Sequence, residues 1–76
     1  MIEYEVTAHY ADLGTKKDKQ GNVVTVRLNK VRWGNGKPMW DLRAWSADNK
    51  PQKGFTLSDE MMKNLADVLA SVDFGQ

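Results

Sequence analysis

The sequence predicts an α+β domain in which a four-stranded curved antiparallel sheet is followed by one C-terminal amphipathic helix, in the order ββββα. Two observations predict this class. Four short segments have the alternation or composition of strands, and the last segment repeats its apolar residues at helical spacing. With 76 residues, the chain is expected to form a single domain over residues 1–76.

The first strand is predicted from an alternation near the N-terminus. Apolar residues occupy every second position there, which is the period of a half-buried strand: Ile2, Tyr4, Val6, Ala8 and Tyr10. Residues 12–22 are polar, contain glycine and lack periodicity. They predict a mobile connection whose lysines are poor candidates for a binding site.

The second strand changes parity along its length. Its apolar residues before position 29 are even-numbered, whereas Val31 and Trp33 are odd-numbered. One bulge near Asn29 and Lys30 would return Val31 to the buried face and bend the strand strongly. The sequence therefore predicts a curved sheet.

Turn and capping signals place the remaining elements. Asn35-Gly36 predicts a hairpin leading into a third strand over residues 39–45, and residues 53–57 form a short fourth strand. Ser58 caps a helix that runs to about Val72. Its apolar stripe follows i, i+3, i+4 spacing and consists of Met61, Leu65, Val68, Leu69 and Val72.

The small size of the chain predicts a homodimer. A domain of this length has a marginal core, and the chain has no cysteine for disulfides and one histidine, which excludes a structural zinc site. Four short strands cannot cover the whole helical stripe while burying their own apolar residues. We therefore expect that stripe to form the dimer interface, and we expect no metal and no cofactor.

The sequence also predicts the compartment. No apolar run approaches the length of a membrane span, and the N-terminus lacks the basic and apolar regions of a signal peptide. We expect a cytoplasmic protein without a membrane partner. We also expect no enzyme, because the sequence has no nucleophile beside a base, no paired carboxylates and no phosphate loop at interpretable spacing. His9 is expected to be a solvated surface residue.

Basic and aromatic residues alternate along strands two to four. Residues 24–57 carry seven lysines and arginines against two aspartates, whereas the segment from Ser58 onward is acidic. Single-stranded nucleic acid binds such mixtures, because bases stack on aromatic rings while the backbone follows positive charge. The candidate binding residues are Arg27, Lys30, Arg32, Trp33, Lys37, Arg43, Trp45 and Lys53.

The three tryptophans are expected to differ in exposure. Trp40 has the same parity as Leu42 and is predicted to lie in the core. Trp45 shares a face with Asp41 and Arg43, which favours exposure. The direction of Trp33 depends on the bulge and is left open.

Two segments carry a resemblance to a known family. The run LNKVRWGNGKPMWDLRAWS at positions 28–46, followed by KGFTLS at 53–58, resembles the transcriptional coactivators of the positive-cofactor-four type, and its short bacterial relatives match best. The resemblance covers about residues 24–72. It implies a homodimer with its C-terminal helices in the interface, whose curved sheets bind single-stranded DNA in transcription or another process that exposes single strands.

The resemblance also implies roles for individual residues. By position, Arg43 and Lys53 would bind the DNA backbone, Lys37 would make a hairpin contact, and Trp45 or Trp33 would be the stacking platform. Ala44 and Ser46 depart from the family pattern, which commonly has an acidic residue and allows a second aromatic residue there. Two alternatives stay open from the sequence: an RNA-binding module and a small protein-protein interaction module.

Overall fold

The computed structural model describes residues 3–75, and within them the chain forms four strands and one helix. The strands are β1 (Tyr4–Lys17), β2 (Val23–Trp33), β3 (Met39–Trp45) and β4 (Pro51–Leu57), and the helix is α1 (Asp59–Ser71). The strands form one sheet in the order β1-β2-β3-β4 with antiparallel neighbours. The predicted ββββα architecture is confirmed. Ile2, predicted at the start of the first strand, lies outside the described residues.

The first strand is longer than the sequence predicts. Pairing with β2 continues to Lys17, which lies opposite Val23. Only the next five residues form the turn, where the Asp18 carboxylate accepts hydrogen bonds from the backbone N–H groups of Gln20 and Asn22. The prediction of a mobile connection from residue 12 onward is therefore wrong for residues 12–17. Periodicity missed residues 12–17 because β1 is a solvated edge strand. Most of its residues at these positions are polar, and its register with β2 is irregular.

The bulges lie in β1 and not in β2. The register of β1 shifts by one residue at three places, leaving Thr7, Tyr10 and Leu13 without a partner. In contrast, β2 pairs with β3 without interruption from Thr25 to Val31. The prediction of a bulge near Asn29 and Lys30 is therefore wrong. The change of parity in β2 arises because apolar residues lie on both faces of that strand.

Strand alternation and register divide the sheet into two faces, here called the concave face and the convex face. On the central strands, the concave face carries Thr25, Arg27, Asn29, Val31, Trp33, Met39, Asp41, Arg43 and Trp45. The convex face carries Val24, Val26, Leu28, Lys30, Arg32, Trp40, Leu42 and Ala44.

Ring contacts show how strongly the sheet bends. Tyr4 lies opposite Trp33 at one end of β2, whereas Trp45 lies opposite Thr25 near the other end. In a flat sheet these positions would be roughly 27 Å apart at about 3.4 Å per residue. The ring centroids of Tyr4 and Trp45 are nevertheless 5.9 Å apart. The sheet is therefore strongly curved, as predicted, and closes over its concave face.

This curvature buries residues that no helix covers. Val31 is 0% exposed and Trp45 is 2% exposed. The polar residues Asn29 and Asp41 are also buried. The prediction that Trp45 is exposed is therefore wrong, because sharing a face with charged residues does not expose a side chain inside a tightly bent sheet. Trp40, which was predicted to lie in the core, is half-buried on the convex face.

The helix meets the convex face at its first turn. Ser58 caps it as predicted, with its hydroxyl accepting a hydrogen bond from the Met61 N–H. The Asp59 carboxylate accepts hydrogen bonds from Trp40 Nε1 at 2.8 Å and Lys30 Nζ at 3.4 Å. The hydrogen bond from Trp40 and then the Lys30 ammonium hold the pKa of Asp59 below its usual value. These two contacts join the start of α1 to the sheet.

The rest of α1 packs little. Along Asp59–Ser71, all of which the structure describes, no residue is buried. Of the predicted interface stripe, Leu65 is half-buried. The other members are exposed by 43% to 58%: Met61, Val68, Leu69 and Val72. No helix in residues 3–75 is long and apolar enough to cross a membrane.

Candidate nucleic-acid interface

The structure separates the eight predicted binding residues into three groups. The concave face carries Arg27, Trp33, Arg43 and Trp45. The convex face carries Lys30 and Arg32, and Lys53 lines a groove with Val24 and Ala44 of that face. Lys37 is exposed in the turn between β2 and β3. The eight residues therefore do not form one continuous surface.

An aromatic cluster lies on the concave face and consists of Tyr4, Trp33 and Trp45. The Tyr4 ring lies 5.4 Å from the Trp33 ring and 5.9 Å from the Trp45 ring, measured between centroids. Tyr4 is 40% exposed, whereas Trp33 is half-buried and Trp45 is buried. Tyr4 is therefore the solvent-facing member of the cluster, and the two tryptophans support it from below.

Arg43 extends this cluster with a positive charge. Its guanidinium carbon lies 4.7 Å from the centroid of the Trp33 ring. Asp41 and Arg43 are two residues apart on one strand, so their side chains point to the same face, and Arg43 Nε donates to Asp41 Oδ1 at 2.6 Å. Arg43 Nη1 also donates to the carbonyl oxygen of Gln52 at 2.9 Å. The DLRAW motif therefore holds a cation against an aromatic ring.

A polar pocket of about 290 Å³ lies further along the concave face. A 2.6 Å hydrogen bond joins His9 Nδ1 to Asn29 Oδ1, and Arg27 lies 3.2 Å from Asp12 and donates to Asn49 at 2.6 Å. The His9 side chain is 50% exposed, in line with the predicted surface position, but it has defined partners. The pocket is lined by Val6, His9, Asp12, Arg27, Asn29, Trp45 and Asn49.

Most of the predicted cations are neutralised within the chain. Lys30 pairs with Asp59 and lies 4.9 Å from the centroid of the Trp40 ring. Arg32 pairs with Glu5. Arg27 and Arg43 have Asp12 and Asp41 as partners. Among residues 3–75, Lys37 and Lys53 are the predicted cations without an ion pair.

Sequence reasoning missed two sets of residues. Tyr4 was assigned to a strand and not to a site, since its contact with Trp45 depends on the curvature. The second set is Lys16, Lys17 and Lys19, which line one groove together with Lys53. Their dense spacing is visible in the sequence, but assigning residues 12–22 to a mobile connection removed them from consideration.

The fold and the site define a class: small ββββα domains whose curved sheet presents aromatic rings and cations on its concave face. No family model matches the chain. The chain is 39% identical over 73 residues to an uncharacterized protein of Treponema pallidum (strain Nichols), and the match covers 93% of this chain and 80% of that relative. It belongs to the same protein family as this treponemal protein. The resemblance to positive-cofactor-four coactivators stays a prediction.

Proposed function

We propose that this protein is a non-catalytic, homodimeric single-stranded DNA-binding protein with little sequence preference. It would act in transcription regulation or another process that exposes single strands. The observation that carries the proposal is the concave face, where Tyr4 rests on Trp33 and Trp45, and Arg43 lies against Trp33. A cytoplasmic location stays a prediction from the sequence.

The geometry of Tyr4 suits base stacking. Tyr4 is 40% exposed and its ring centroid lies within 6 Å of two tryptophan rings, so little side-chain freedom remains to be lost when a base stacks on it. Stacking on an aromatic ring is worth about 1–3 kcal/mol per base and accepts any base, because every base has a π-face. This supports a surface that binds single strands without reading their sequence.

The cations near the cluster suit the phosphate backbone. Arg27 is partly exposed beside the concave pocket, and Lys37 is exposed in the β2–β3 turn. Contacts to phosphates position a strand but carry no base information. Stacking together with phosphate contacts therefore supports binding with little sequence preference.

Replacing Tyr4 by alanine is expected to weaken binding of an oligo-dT by about 1–3 kcal/mol, the usual contribution of one stacked base. The matched control is Tyr10→Ala. Tyr10 lies on the same strand and also stacks on a tryptophan, at 4.8 Å from Trp40, but on the convex face. Its loss should leave oligo-dT affinity nearly unchanged. Titration followed by tryptophan fluorescence measures both variants, after circular dichroism has confirmed their folds.

The outcomes separate the candidate functions. If oligo-rU quenches the tryptophan fluorescence of the unmutated parent protein at low salt but oligo-dT does not, the protein binds RNA instead. If neither oligonucleotide binds, the proposal is wrong and a protein-interaction module replaces it. If the two tyrosine variants lose affinity equally, the concave face is not the stacking surface.

The homodimer in this proposal is supported by uncovered apolar surface. An isolated helix of fewer than about 12–15 residues is marginally stable in water, yet α1 spans Asp59–Ser71 without burying any residue. The convex face is also open, since Phe55, which lies opposite Leu42 of that face, is 71% exposed. A second copy that packs its helix stripe against these surfaces would cover both at once, as a twofold interface requires.

The dimer predicts concentration-dependent stability. The melting temperature should rise over a hundredfold increase in protein concentration, and light scattering should give twice the chain mass of 8.6 kDa. Leu69→Asp should abolish both the concentration dependence of the melting temperature and the dimer mass, because it places a charge in the apolar stripe. Ala70→Asp adds the same charge to the opposite side of the helix and should leave them intact. A melting temperature independent of concentration, with a monomer mass, contradicts the dimer.

A further inference from the structure

We propose that the hairpin between β1 and β2 is a second nucleic-acid contact. Its lysines, together with Lys53, bind backbone phosphates of the same nucleic-acid strand whose bases stack on the concave face. We call the surface that they line the lysine groove; it is formed by Lys16, Lys17, Asp18, Lys19, Gln20, Val24, Ala44, Gln52 and Lys53. This inference rests on the proposed function and adds an electrostatic anchor to it.

The groove is a product of the long first strand. Because β1 stays paired with β2 up to Lys17, the hairpin lysines are held at the end of the sheet. Lys16 lies opposite Val24, which places its side chain on the convex face. Val24 and Ala44 are buried there at 3% and 9% exposure. The groove, of about 460 Å³, therefore has an apolar floor and ammonium groups around it.

The lysines of this groove have no ion-pair partner among the residues that the structure describes. Among residues 3–75, no carboxylate forms an ion pair with Lys16, Lys17, Lys19 or Lys53, and all four are exposed. The single acidic side chain in the lining is Asp18. Its Oδ1 atom accepts the backbone N–H groups of Gln20 and Asn22 at 2.9 and 2.8 Å, so it closes the turn.

The groove lysines are more available to a phosphate than the other cations of the sheet. Arg27, Lys30, Arg32 and Arg43 each already have a carboxylate partner. A phosphate approaching one of them must replace that partner, whereas a phosphate in the lysine groove displaces only solvent and counterions. Counterion release is the main electrostatic source of affinity for nucleic acid. The lysine groove should therefore carry much of the salt dependence.

The groove is also connected to the concave face. Arg43, which lies against Trp33, donates to the carbonyl oxygen of Gln52, and Gln52 lines the lysine groove. Because β4 is an edge strand, a single strand can cross its open side near Gln52. One nucleic-acid chain could then reach both the aromatic cluster on the concave face and the lysine groove at the end of the sheet.

The test compares two variants with the same charge change. Lys16→Gln/Lys19→Gln removes two groove lysines, and Lys50→Gln/Lys63→Gln removes two exposed lysines outside the groove. Oligo-dT affinity is measured from about 50 mM to 300 mM salt by tryptophan fluorescence. Each phosphate contact to a single strand contributes about 0.7 to the slope of log K against log salt, so the groove variant should lose about 1.4. The control variant should keep the parent slope.

Each result has a distinct meaning. The inference is supported if the groove variant alone loses slope while its fluorescence change at saturation equals that of the parent, since stacking on the concave face is then intact. It is overturned if both variants lose slope equally, or if neither does while the parent still binds. A parent that does not bind oligo-dT at all refutes the proposed function, and the inference with it. If the parent binds vesicles of anionic phosphatidylserine but no oligonucleotide, the groove is a membrane contact instead.

Discussion

Replacing Trp45 by alanine is expected to lower the free energy of unfolding by about 3–5 kcal/mol, the usual cost of removing a buried aromatic side chain. Trp45 is 2% exposed and supports Tyr4 from below. A domain of this size has a total stability of roughly 4–11 kcal/mol. The substitution should therefore remove at least about a quarter of the total stability and, at the lower end of that range, all of it. Urea denaturation followed by circular dichroism at one fixed protein concentration measures the loss.

Phe74→Ala is the control for this prediction. Phe74 is also aromatic, but it is 77% exposed and lies outside the proposed dimer interface, so its removal should cost less than about 1 kcal/mol. If Trp45→Ala is as stable as Phe74→Ala, then Trp45 is not in the core, and the curvature that buries it is wrong. In that case the sequence-based assignment of Trp45 as the stacking platform would regain its support.

The second large effect is expected at Gly54. A Cβ atom on Gly54 would lie 2.0 Å from the Cβ of Arg43, 2.5 Å from the Cα of Arg43 and 2.5 Å from the carbonyl oxygen of Leu42. Because two of these contacts involve the backbone of β3, no side-chain rotation can relieve them. Gly54→Ala should force β3 and β4 apart and destabilise the protein by about 3 kcal/mol, at the upper end of the usual cost of overpacking.

Gly36→Ala provides the comparison for Gly54. A Cβ atom there would meet only the carbonyl oxygen of Trp33, at 3.3 Å, so the change in stability should stay within about 1 kcal/mol. Thermal melting of both variants at the same concentration tests the difference. Equal melting temperatures would mean that β4 does not approach Arg43 as closely as described. The contact also explains why the KGFTL segment has glycine at its second position.

The strand and helix order could be predicted because it depends on local signals. Alternation identified the start of β1, Asn35-Gly36 marked the β2–β3 turn, and Ser58 marked the helix start. The length of β1 could not be predicted in this way. Its second half has few apolar residues to alternate, and the unpaired residues Thr7, Tyr10 and Leu13 interrupt the period along the whole strand. Pairing with β2 determines the length of β1, and such pairing joins residues that are distant in the sequence.

The candidate site was harder to predict, because net charge in a segment does not show which charges are already paired. Residues 24–57 carry an excess of cations, but Asp12 and Glu5 of β1 and Asp59 of α1 neutralise three of them. Parity placed Trp45 correctly beside Arg43, yet it could not show that the sheet bends far enough to bring Tyr4 against it. Sequence patterns identify faces of a sheet but not its curvature.

The three bulges of β1 have a further consequence for behaviour at high concentration. A 14-residue edge strand would ordinarily offer a long row of free N–H and C=O groups on which another molecule could add a strand. Unpaired residues at Thr7, Tyr10 and Leu13 break that row every third residue, so no long stretch keeps the spacing that a foreign strand needs. The β1 edge of the sheet is thus protected against the growth of fibrils without a covering helix.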